Sequence, residues 1–497
     1  MLYTSTRGGN NGTSSAYTIK KGIASDGGLF VPEDEMKIST EEMKELGKLD
    51  YKSRAIKIIS LFLTDFTEDE ISDCVESAYT ADKFESENIV PLIKLKDGLY
   101  VMELWHGPTS AFKDIALQIL PMLMLRSLSK TGENKEIIIL TATSGDTGKA
   151  ALEGFKNIAG TRVIVFYPEN GVSEVQRLQM VTQEGENLSC VAVKGNFDDA
   201  QNGVKAIFAD TEFGDEIEKA GFKFSSANSI NWGRLVPQIV YYFSSYLDLL
   251  YNEEIELGEK VNFLVPTGNF GNILAGYYAY KMGLPVNKFI CASNDNKVLT
   301  DFINTGIYNS NRDFKRTISP SMDILVSSNL ERLLFDLSDG NDVLVKGWME
   351  ALKSEGVYKV DKNTFDKINS LFFGGYSNEE EVLKTIKATY KEYNYVVDPH
   401  TGVGVDVYNK YLKQTKDNTK TILASTASPF KFNESVTRAI FGNEAVAGKT
   451  EIELLDVLSQ KCKLGIPRGL MDLDKKQIIH KTVCEKDAMK DCIRKII

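Results

Sequence analysis

Lys113 is the residue whose type and position most directly suggest chemistry. It follows the Gly107-Pro108 turn and is expected in the first turn of a largely apolar helix that runs to about Leu128, with Thr109 or Ser110 as the cap. The positive end of a helix dipole and dry surroundings both lower the pKa of a lysine. The resulting free amine can form a Schiff base with a carbonyl carbon. The same spacing also suits a lysine that extends from a helix start into solvent, so this stretch alone leaves both interpretations open.

A second stretch has the composition of an anion site. It lies between an apolar strand and a helix and reads Gly268-Asn269-Phe270-Gly271-Asn272. The two glycines let the backbone curl, and the helix start then directs N–H groups into the curl, which suits a phosphate ester. The stretch matches neither common nucleotide-binding glycine pattern. A plain Gly-Asn turn between strand and helix is the alternative.

A third strand-to-helix turn is rich in hydroxyl groups and reads Thr143-Ser144-Gly145-Asp146-Thr147. These hydroxyls and the first helical amides could bind a carboxylate. The turn is not an ATP or GTP loop, because Gly145 and Gly148 stand too close together and Ala150 replaces the hydroxyl residue that binds Mg²⁺. A capped turn without a ligand remains the alternative for Asp146 alone.

A fourth polar stretch, from Ala424 to Pro429, closes the last apolar strand with hydroxyl groups and no carboxylate. A hydroxyl group can hydrogen-bond a neutral ring nitrogen without stabilising a full charge on it. A polar strand end without function is the alternative.

Short apolar runs that alternate with helical patterns are expected to position these four stretches. The predicted strands are Leu99–Leu104, Ile137–Leu140, Val163–Phe166, Cys190–Val193, Val261–Val265, Phe289–Ala292 and Thr421–Ala424. The predicted helices between them include Thr147–Asn157, Ser173–Gln183, Leu235–Leu250 and Gly271–Lys281. This alternation predicts βαβ units and parallel sheets that are covered on both faces. Before residue 95 the patterns are mainly helical, with a capping box from Thr67 to Glu70.

Composition narrows the class of protein. The chain has 497 residues, 42% hydrophobic and 26% charged, as in ordinary globular proteins. The formal net charge of −11 argues against a nucleic-acid-binding surface. Scattered cysteines and three scattered histidines make a metal site an unfavoured interpretation. With no signal-peptide pattern and no membrane-length apolar run, we expect a cytoplasmic protein with no membrane partner.

The amino-acid sequences of these stretches and their order along the chain together resemble the threonine synthase family, in its longer bacterial and fungal branch. The segments that carry the resemblance are YTSTRG, DGGLFVP, WHGPTSAFKD, TATSGDTG, NSINWGRLVPQ, PTGNFGN, DPHTGVGV and STASPFKF. They span residues 3 to about 433. The combination of FKD with GNFGN is highly specific, whereas the chain beyond about residue 445 adds little.

The resemblance implies a fold of the tryptophan-synthase-β type (fold type II), with two parallel-sheet α/β domains, pyridoxal 5'-phosphate between them and a mainly helical N-terminal domain. The expected ranges are residues 1–95 for the N-terminal domain, 96–228 for the smaller α/β domain and 229–497 for the larger one with a C-terminal helical extension. Lys113 would hold the cofactor as a Schiff base, residues 268–272 would bind its phosphate, and Thr426 would face its pyridine nitrogen. Residues 143–147 would receive the substrate carboxylate, and Asn231 and Arg234 are candidates for the substrate phosphate.

The implied reaction is a lyase reaction that converts O-phospho-L-homoserine and water to L-threonine and phosphate. The released Lys113 amine would act as the base at Cα and then at Cβ. The same fold could instead release 2-oxobutyrate as a phospho-lyase, or could be retained in a catalytically inactive regulatory protein. The expected partner is this small-molecule substrate, and a monomer and a homodimer both stay open. Residues 297–393 receive no chemical interpretation, although the segment from Ser319 to Asp323 is family-like and is expected to line the cleft.

Overall fold

The computed structural model describes the backbone of residues 1–497 and every side chain except that of residue 198. The strands are Tyr3–Ser5 (β1), Phe30–Pro32 (β2), Leu92–Lys96 (β3), Leu99–Glu103 (β4), Glu136–Ala142 (β5), Thr161–Pro168 (β6), Leu188–Lys194 (β7), Phe222–Ser225 (β8), Val261–Pro266 (β9), Val286–Ser293 (β10), Ile307–Asn309 (β11), Val357–Lys359 (β12), Phe372–Tyr376 (β13), Thr421–Ser425 (β14) and Thr482–Glu485 (β15).

The α-helices are Ser15–Lys21 (α1), Thr40–Gly47 (α2), Tyr51–Phe62 (α3), Glu68–Ala78 (α4), Lys113–Leu117 (α5), Leu120–Lys130 (α6), Asp146–Gly154 (α7), Glu174–Val181 (α8), Phe197–Ala209 (α9), Thr211–Lys219 (α10), Trp232–Tyr251 (α11), Gly271–Lys281 (α12), Val298–Thr305 (α13), Leu330–Leu337 (α14), Asp342–Glu355 (α15), Lys362–Leu371 (α16), Glu379–Tyr393 (α17), Pro399–Thr415 (α18), Asn433–Phe441 (α19), Glu451–Cys462 (α20) and Met489–Ile496 (α21). Short 3₁₀ helices include Pro320–Met322 and Pro429–Phe432.

Two parallel sheets form the centre of the molecule, as predicted. The larger has the order β13-β10-β9-β14-β4-β3, with β3 antiparallel to its neighbour and the other pairs parallel. The smaller has the order β15-β7-β6-β5-β8 and is parallel throughout. Every residue of β9 and β14 is buried. Helices therefore cover both faces of the larger sheet, and its strands read as continuous apolar runs for that reason.

Sheet membership differs from the predicted division into contiguous ranges. Strand β4 lies inside the predicted range 96–228 but pairs with β14 of the larger sheet. Strand β15, near the C-terminus, pairs with β7 of the smaller sheet. Strand pairing at such sequence separation is fixed by tertiary packing, which local patterns do not report. The predicted boundaries at residues 96 and 229 therefore do not follow the sheets.

The start of the lysine-bearing helix also differs from the prediction. Helix α5 begins at Lys113, with Phe112 at the N-cap position and no side-chain capping bond. Ser110 adopts a left-handed backbone, with φ of 60°. A second break separates α5 from α6. The predicted Thr109 or Ser110 cap is therefore wrong, but Lys113 does lie in the first turn of a helix.

The N-terminal segment packs against helices α11 and α12. The Trp232 ring lies 5.4 Å from Tyr3, 5.7 Å from Phe62 and 5.3 Å from Tyr278, measured between centroids. Aromatic clusters of this kind add to the free energy of burial through edge-to-face contacts. The predicted capping box from Thr67 to Glu70 is present at the start of α4.

A buried arginine ties this N-terminal segment to the turn that precedes α12. Arg332, fully buried, donates hydrogen bonds to the carbonyl oxygens of Phe30 and Ile230 and to the Asn329 side chain. Asn329 in turn donates from its backbone N–H and its side chain to the Asn269 carbonyl oxygen. The N-terminal residues thus support the backbone of the predicted phosphate turn.

Candidate active site

Lys113 is buried between the two sheets. Its residue exposure is 8%, and its Nζ donates to Asp146 Oδ2 and to Ser321 Oγ, each at 3.3 Å. Burial lowers the pKa of Lys113, Asp146 opposes this shift, and the nearby Lys431 and Arg234 add to it. A lysine held in this way has a larger fraction of neutral amine than a surface lysine.

Asp146 lies between two lysines at the start of α7. Its Oδ1 accepts from Lys431 Nζ at 2.7 Å and from Gln176 Nε2 at 2.9 Å, and its Oδ2 contacts Lys113. Burial acts to raise the pKa of Asp146, but Lys431 and Lys113 outweigh it and hold the pKa well below its usual range. The Lys431 side chain is fully buried and also donates to the Thr109 carbonyl oxygen at 2.9 Å. Asp146 is therefore an ionised carboxylate shared by two buried lysine side chains.

The turn from Gly268 to Asn272 has the features of an anion site. The structure gives the backbone N–H groups of residues 269–272 no hydrogen-bond acceptor among the residues it describes. Asn272 Oδ1 accepts from the Tyr241 and Tyr242 hydroxyls, both at 2.7 Å, which fixes the side-chain amide. Its Nδ2 is buried and has no partner in the described part of the chain. Four amides and one orphaned NH₂ group can thus receive a phosphate ester at the start of α12.

Ser321 joins this turn to Lys113. A Cβ atom on Gly268 would stand 2.4 Å from the Ser321 carbonyl oxygen, so only glycine allows the two segments to approach this closely. The Ser321 hydroxyl contacts Lys113 Nζ, and the Ser321 N–H donates to His400 Nε2 at 3.2 Å. Because His400 Nε2 accepts, the proton lies on Nδ1 and is donated to Asp398 Oδ1 at 2.7 Å. The predicted cleft position of residues 319–323 agrees with these contacts.

Thr426 lies at the end of β14 beside the helix that carries Lys113. Its carbonyl oxygen accepts from the Phe112 N–H at 2.8 Å, and Ala427 forms a bridge with Ala111. The residue is 6% exposed. Its hydroxyl group has no hydrogen-bond partner among the described residues and is available to a ligand.

The residues of the turn from Thr143 to Thr147 have different roles. The Thr143 hydroxyl accepts from the N–H groups of Gly145 and Gly148, so it caps the turn. Gly145 has φ of 135°, and Gln176 packs against it where a Cβ atom would stand. The half-buried Ser144 and Thr147 have hydroxyl groups that bond to no group in the described chain. These two hydroxyls can still receive a carboxylate, whereas the Asp146 side chain is already bonded to Lys113, Lys431 and Gln176.

Asn231 and Arg234 occupy the start of α11. The Asn231 side chain is fully buried, accepts from the Gly233 N–H at 2.9 Å and donates to the carbonyl oxygens of Ile19 and Ser226. Its hydrogen-bonding groups are engaged by the fold, so a substrate contact would require one of these bonds to break. Arg234 donates to the Ala227 carbonyl oxygen, while its Nε has no partner among the described residues, and burial lowers its pKa to about 10. Arg234 is the better placed of the two to bind an anion.

Sequence reasoning assigned no role to Lys431, Gln176, Ser321 or His400, although three of them lie in segments that carried the resemblance or were expected in the cleft. An ammonium group within the apolar run Pro429–Phe432 was the one local indication of buried chemistry. The contacts of Gln176 with Gly145 and Asp146 depend on tertiary packing and leave no local pattern.

The described residues provide neither a metal-binding cluster nor a membrane-spanning helix. They contain no group of three or more His, Cys, Asp and Glu side chains arranged to hold a metal ion. Among their helices, none combines the length and the apolar character needed to cross a bilayer.

Comparison with known proteins assigns the family. Family models match as "Threonine synthase N terminus" over residues 2–79, "Pyridoxal-phosphate dependent enzyme" over 84–426 and "Threonine synthase, C-terminal" over 401–488. Threonine synthase of Saccharomyces cerevisiae is 36% identical over 96% of this chain and 97% of its own. Human Threonine synthase-like 1 is 40% identical over 85% of this chain, and the match spans 57% of that longer protein.

A solved structure extends the similarity to the whole fold. The pyridoxal-phosphate-bound threonine synthase of Brucella melitensis superposes with a TM-score of 0.87 at 34% identity and covers 100% of this chain and 99% of its own. The fold is therefore the expected tryptophan-synthase-β type, with the lysine-bearing helix between its two sheets. The chain belongs to the threonine synthase family of pyridoxal-phosphate-dependent enzymes.

Proposed function

We propose that this chain is a lyase that converts O-phospho-L-homoserine and water to L-threonine and phosphate. The observation that carries the proposal is the meeting of two groups around Ser321. One is the buried Lys113 amine, and the other is the turn with free amides from Gly268 to Asn272. Family membership supports the reaction, and the proximity of the buried amine to a turn with free amides supports the assignment of Lys113 and of residues 268–272.

The residues present fit pyridoxal 5'-phosphate. The orphaned Asn272 Nδ2 and the free amides of residues 269–272 can bind the cofactor phosphate, and the Thr426 hydroxyl is free to hydrogen-bond the pyridine nitrogen. Lys113 would hold the cofactor through its amine. When bound, the cofactor supplies an electron sink that stabilises negative charge on the substrate carbons.

Lys113 also suits the proton transfers. As a neutral amine it can accept the proton from substrate Cα and, once that proton has been given up, accept a second proton from Cβ, which it can return to Cγ after the phosphate departs. Asp146 Oδ2 and Ser321 Oγ hold the amine, which restricts its position during these transfers. Burial of the amine between the sheets keeps out water that would compete for the proton.

Substrate binding is assigned to groups that the fold leaves free. Ser144 and Thr147 would bind the substrate carboxylate at the start of α7, with Thr143, Gly145 and Asp146 shaping the turn. Arg234 would bind the substrate phosphate, and its unpaired Nε supports this assignment. The phosphate departs from Cγ, and water adds at Cβ. Asn231 remains a predicted phosphate contact, with its role as the α11 cap as the competing interpretation.

The domain division, the cellular setting and the oligomeric state complete the proposal. We infer an N-terminal unit over 1–95 and two α/β units, divided near residues 96 and 229 in sequence but with β4 and β15 exchanged between them. The six free cysteines agree with a reducing, cytoplasmic setting. A monomer and a homodimer are both compatible with the chain, and sedimentation velocity distinguishes them.

The product identifies the reaction. Purified chain loaded with pyridoxal phosphate is incubated with O-phospho-L-homoserine, and L-threonine, phosphate and 2-oxobutyrate are quantified chromatographically. Equal amounts of threonine and phosphate are expected. Release of 2-oxobutyrate with phosphate would replace the proposal by the phospho-lyase reaction. No product from a chain that holds the cofactor would indicate a regulatory protein.

A further inference from the structure

Lys431 is a buried cation next to the site, and the proposed mechanism does not use it. Its exposure is 1%, and its Nζ lies 2.7 Å from Asp146 Oδ1 and 2.9 Å from the Thr109 carbonyl oxygen. These contacts leave it no direct bond to Lys113. Burying an ammonium group costs several kcal/mol unless charge and hydrogen bonds compensate it, so its position requires an explanation.

The two lysines share a single carboxylate. Asp146 Oδ2 contacts Lys113 at 3.3 Å, whereas Oδ1 makes the shorter contact with Lys431 at 2.7 Å. If Lys431 were absent, the whole carboxylate charge would face Lys113. A carboxylate paired with one lysine favours the ammonium form, which can neither attack a carbonyl carbon nor accept a proton.

We propose that Lys431 is a positioning residue that acts through Asp146. Its ammonium group neutralises the carboxylate and so keeps the Lys113 amine neutral, while Asp146 still holds that amine in place. The inference rests on the proposed role of Lys113, but it concerns the charge on that amine before any substrate is present.

The other charged groups around Lys113 are consistent with the roles proposed for Lys431 and Asp146. Arg234 faces it from α11 and, like Lys431, opposes the ammonium form. His400, beyond Ser321, accepts from the Ser321 N–H at Nε2 and contacts Asp398 through Nδ1. On the lysine's own helix, the Asp114 carboxyl group is bonded to the Thr109 N–H and hydroxyl. Asp146 is therefore the one carboxylate in direct contact with Lys113 among the described residues.

The test measures the titration of Lys113 in the full-length chain freed of cofactor. Trace labelling with acetic anhydride across neutral to alkaline pH, followed by mass spectrometry of the Lys113 peptide, gives the midpoint at which the amine becomes reactive. In Lys431→Met we expect this midpoint to rise by about one pH unit or more, which leaves roughly tenfold less reactive amine at a given pH below it. In Lys431→Arg, which keeps the cation, we expect the parent midpoint.

A matched control removes a different buried lysine from the same helix as Asp146. Lys149 pairs with Glu153 at 2.9 Å and does not contact Asp146. Lys149→Met should therefore leave the Lys113 midpoint unchanged. Asp146→Asn should move the midpoint downward, and this variant keeps the proposal testable if Lys431→Met does not fold, as judged by circular dichroism.

Three results of these titrations would overturn the proposed role of Lys431. An unchanged or lowered midpoint in Lys431→Met, an equal rise in Lys149→Met, or an unchanged or raised midpoint in Asp146→Asn would overturn the proposal. Because the labelling uses neither substrate nor cofactor, it can fail while the product assay succeeds. It can also succeed while the product assay fails, so the two hypotheses are tested independently.

Discussion

Asn272→Asp tests the phosphate turn with a change of one atom type. The Asn272 Oδ1 accepts from the hydroxyls of Tyr241 and Tyr242, and an aspartate oxygen at the same place can accept both bonds. The other terminal atom changes from an orphaned donor into an anionic acceptor. The substitution therefore preserves the local packing and alters the group that faces the predicted phosphate.

The expected loss of affinity has two sources. A hydrogen bond to a charged group contributes about 1.5–3 kcal/mol. Its removal alone weakens binding roughly 10- to 150-fold, since about 1.4 kcal/mol corresponds to a factor of ten. A carboxylate at about 4 Å from a phosphate charge adds repulsion on the order of 4 kcal/mol at an effective dielectric constant of about 20. Protonation of the carboxyl group limits the second contribution. We therefore expect at least a roughly 100-fold loss of affinity for pyridoxal phosphate.

The assay compares two ligands in the cofactor-free chain. Equilibrium dialysis gives the affinity for pyridoxal phosphate and for pyridoxal, which lacks the phosphate group. Asn272→Asp should lower the affinity for pyridoxal phosphate. It should leave the affinity for pyridoxal within about threefold of the parent value, which is a free-energy difference of about 0.65 kcal/mol. Equal losses for both ligands would show that the variant damages the whole site. An unchanged affinity for pyridoxal phosphate would refute the assignment of the turn.

Three further predictions follow from other buried groups. Lys113→Ala should abolish turnover and the visible absorbance of the loaded protein, and turnover near the parent rate would contradict the assigned role. Arg332→Met leaves three acceptors unpaired, two of them fully buried at about 1–3 kcal/mol each, so urea titration should show a fall of at least about 2 kcal/mol in the free energy of unfolding. An unchanged urea midpoint would contradict the tie between the N-terminal segment and the phosphate turn. Burial raises the pKa of Asp114 from its usual 3.8 to about 6, against hydrogen bonds from Thr109. The folded chain thus keeps a proton that the unfolded chain loses, and this carboxyl group's contribution to stability is lost as the pH rises between those two values. Unfolding titrations of Asp114→Asn across that range should lack this contribution, and a slope against pH identical to the parent's would contradict it.

Much of the fold could be predicted from apolar runs and turn residues. Helix α12 has the predicted bounds, Gly271–Lys281, because a glycine turn marks its start. The strand Phe372–Tyr376 could not be predicted, since Gly374 and Gly375 indicate a break and only pairing with β10 makes the segment extended. Strand β15 was missed for a similar reason, because its partner β7 lies some 290 residues earlier in the chain.

In the candidate site, too, some residues could be predicted from the local sequence and others could not. Lys113 and the turn that begins at Gly268 carry their chemistry in residue type and in position between a strand and a helix. Lys431 and Ser321 acquire theirs from contacts with Asp146 and Lys113 across elements that are distant in the chain. Asn231 shows the opposite case. Its residue type suits an anion site and also a helix cap; the fold shows the cap at the start of α11, and the phosphate contact stays a prediction.

The proposed function depends on Lys113 holding pyridoxal phosphate covalently through its amine. An absorbance spectrum of the loaded protein, taken before and after borohydride and followed by peptide mass spectrometry, tests it most directly. We expect a visible band that disappears on reduction, with one pyridoxyl group on the peptide that contains Lys113. A pyridoxyl group on Lys431 or Lys149, or no band after pyridoxal phosphate is added, would contradict it.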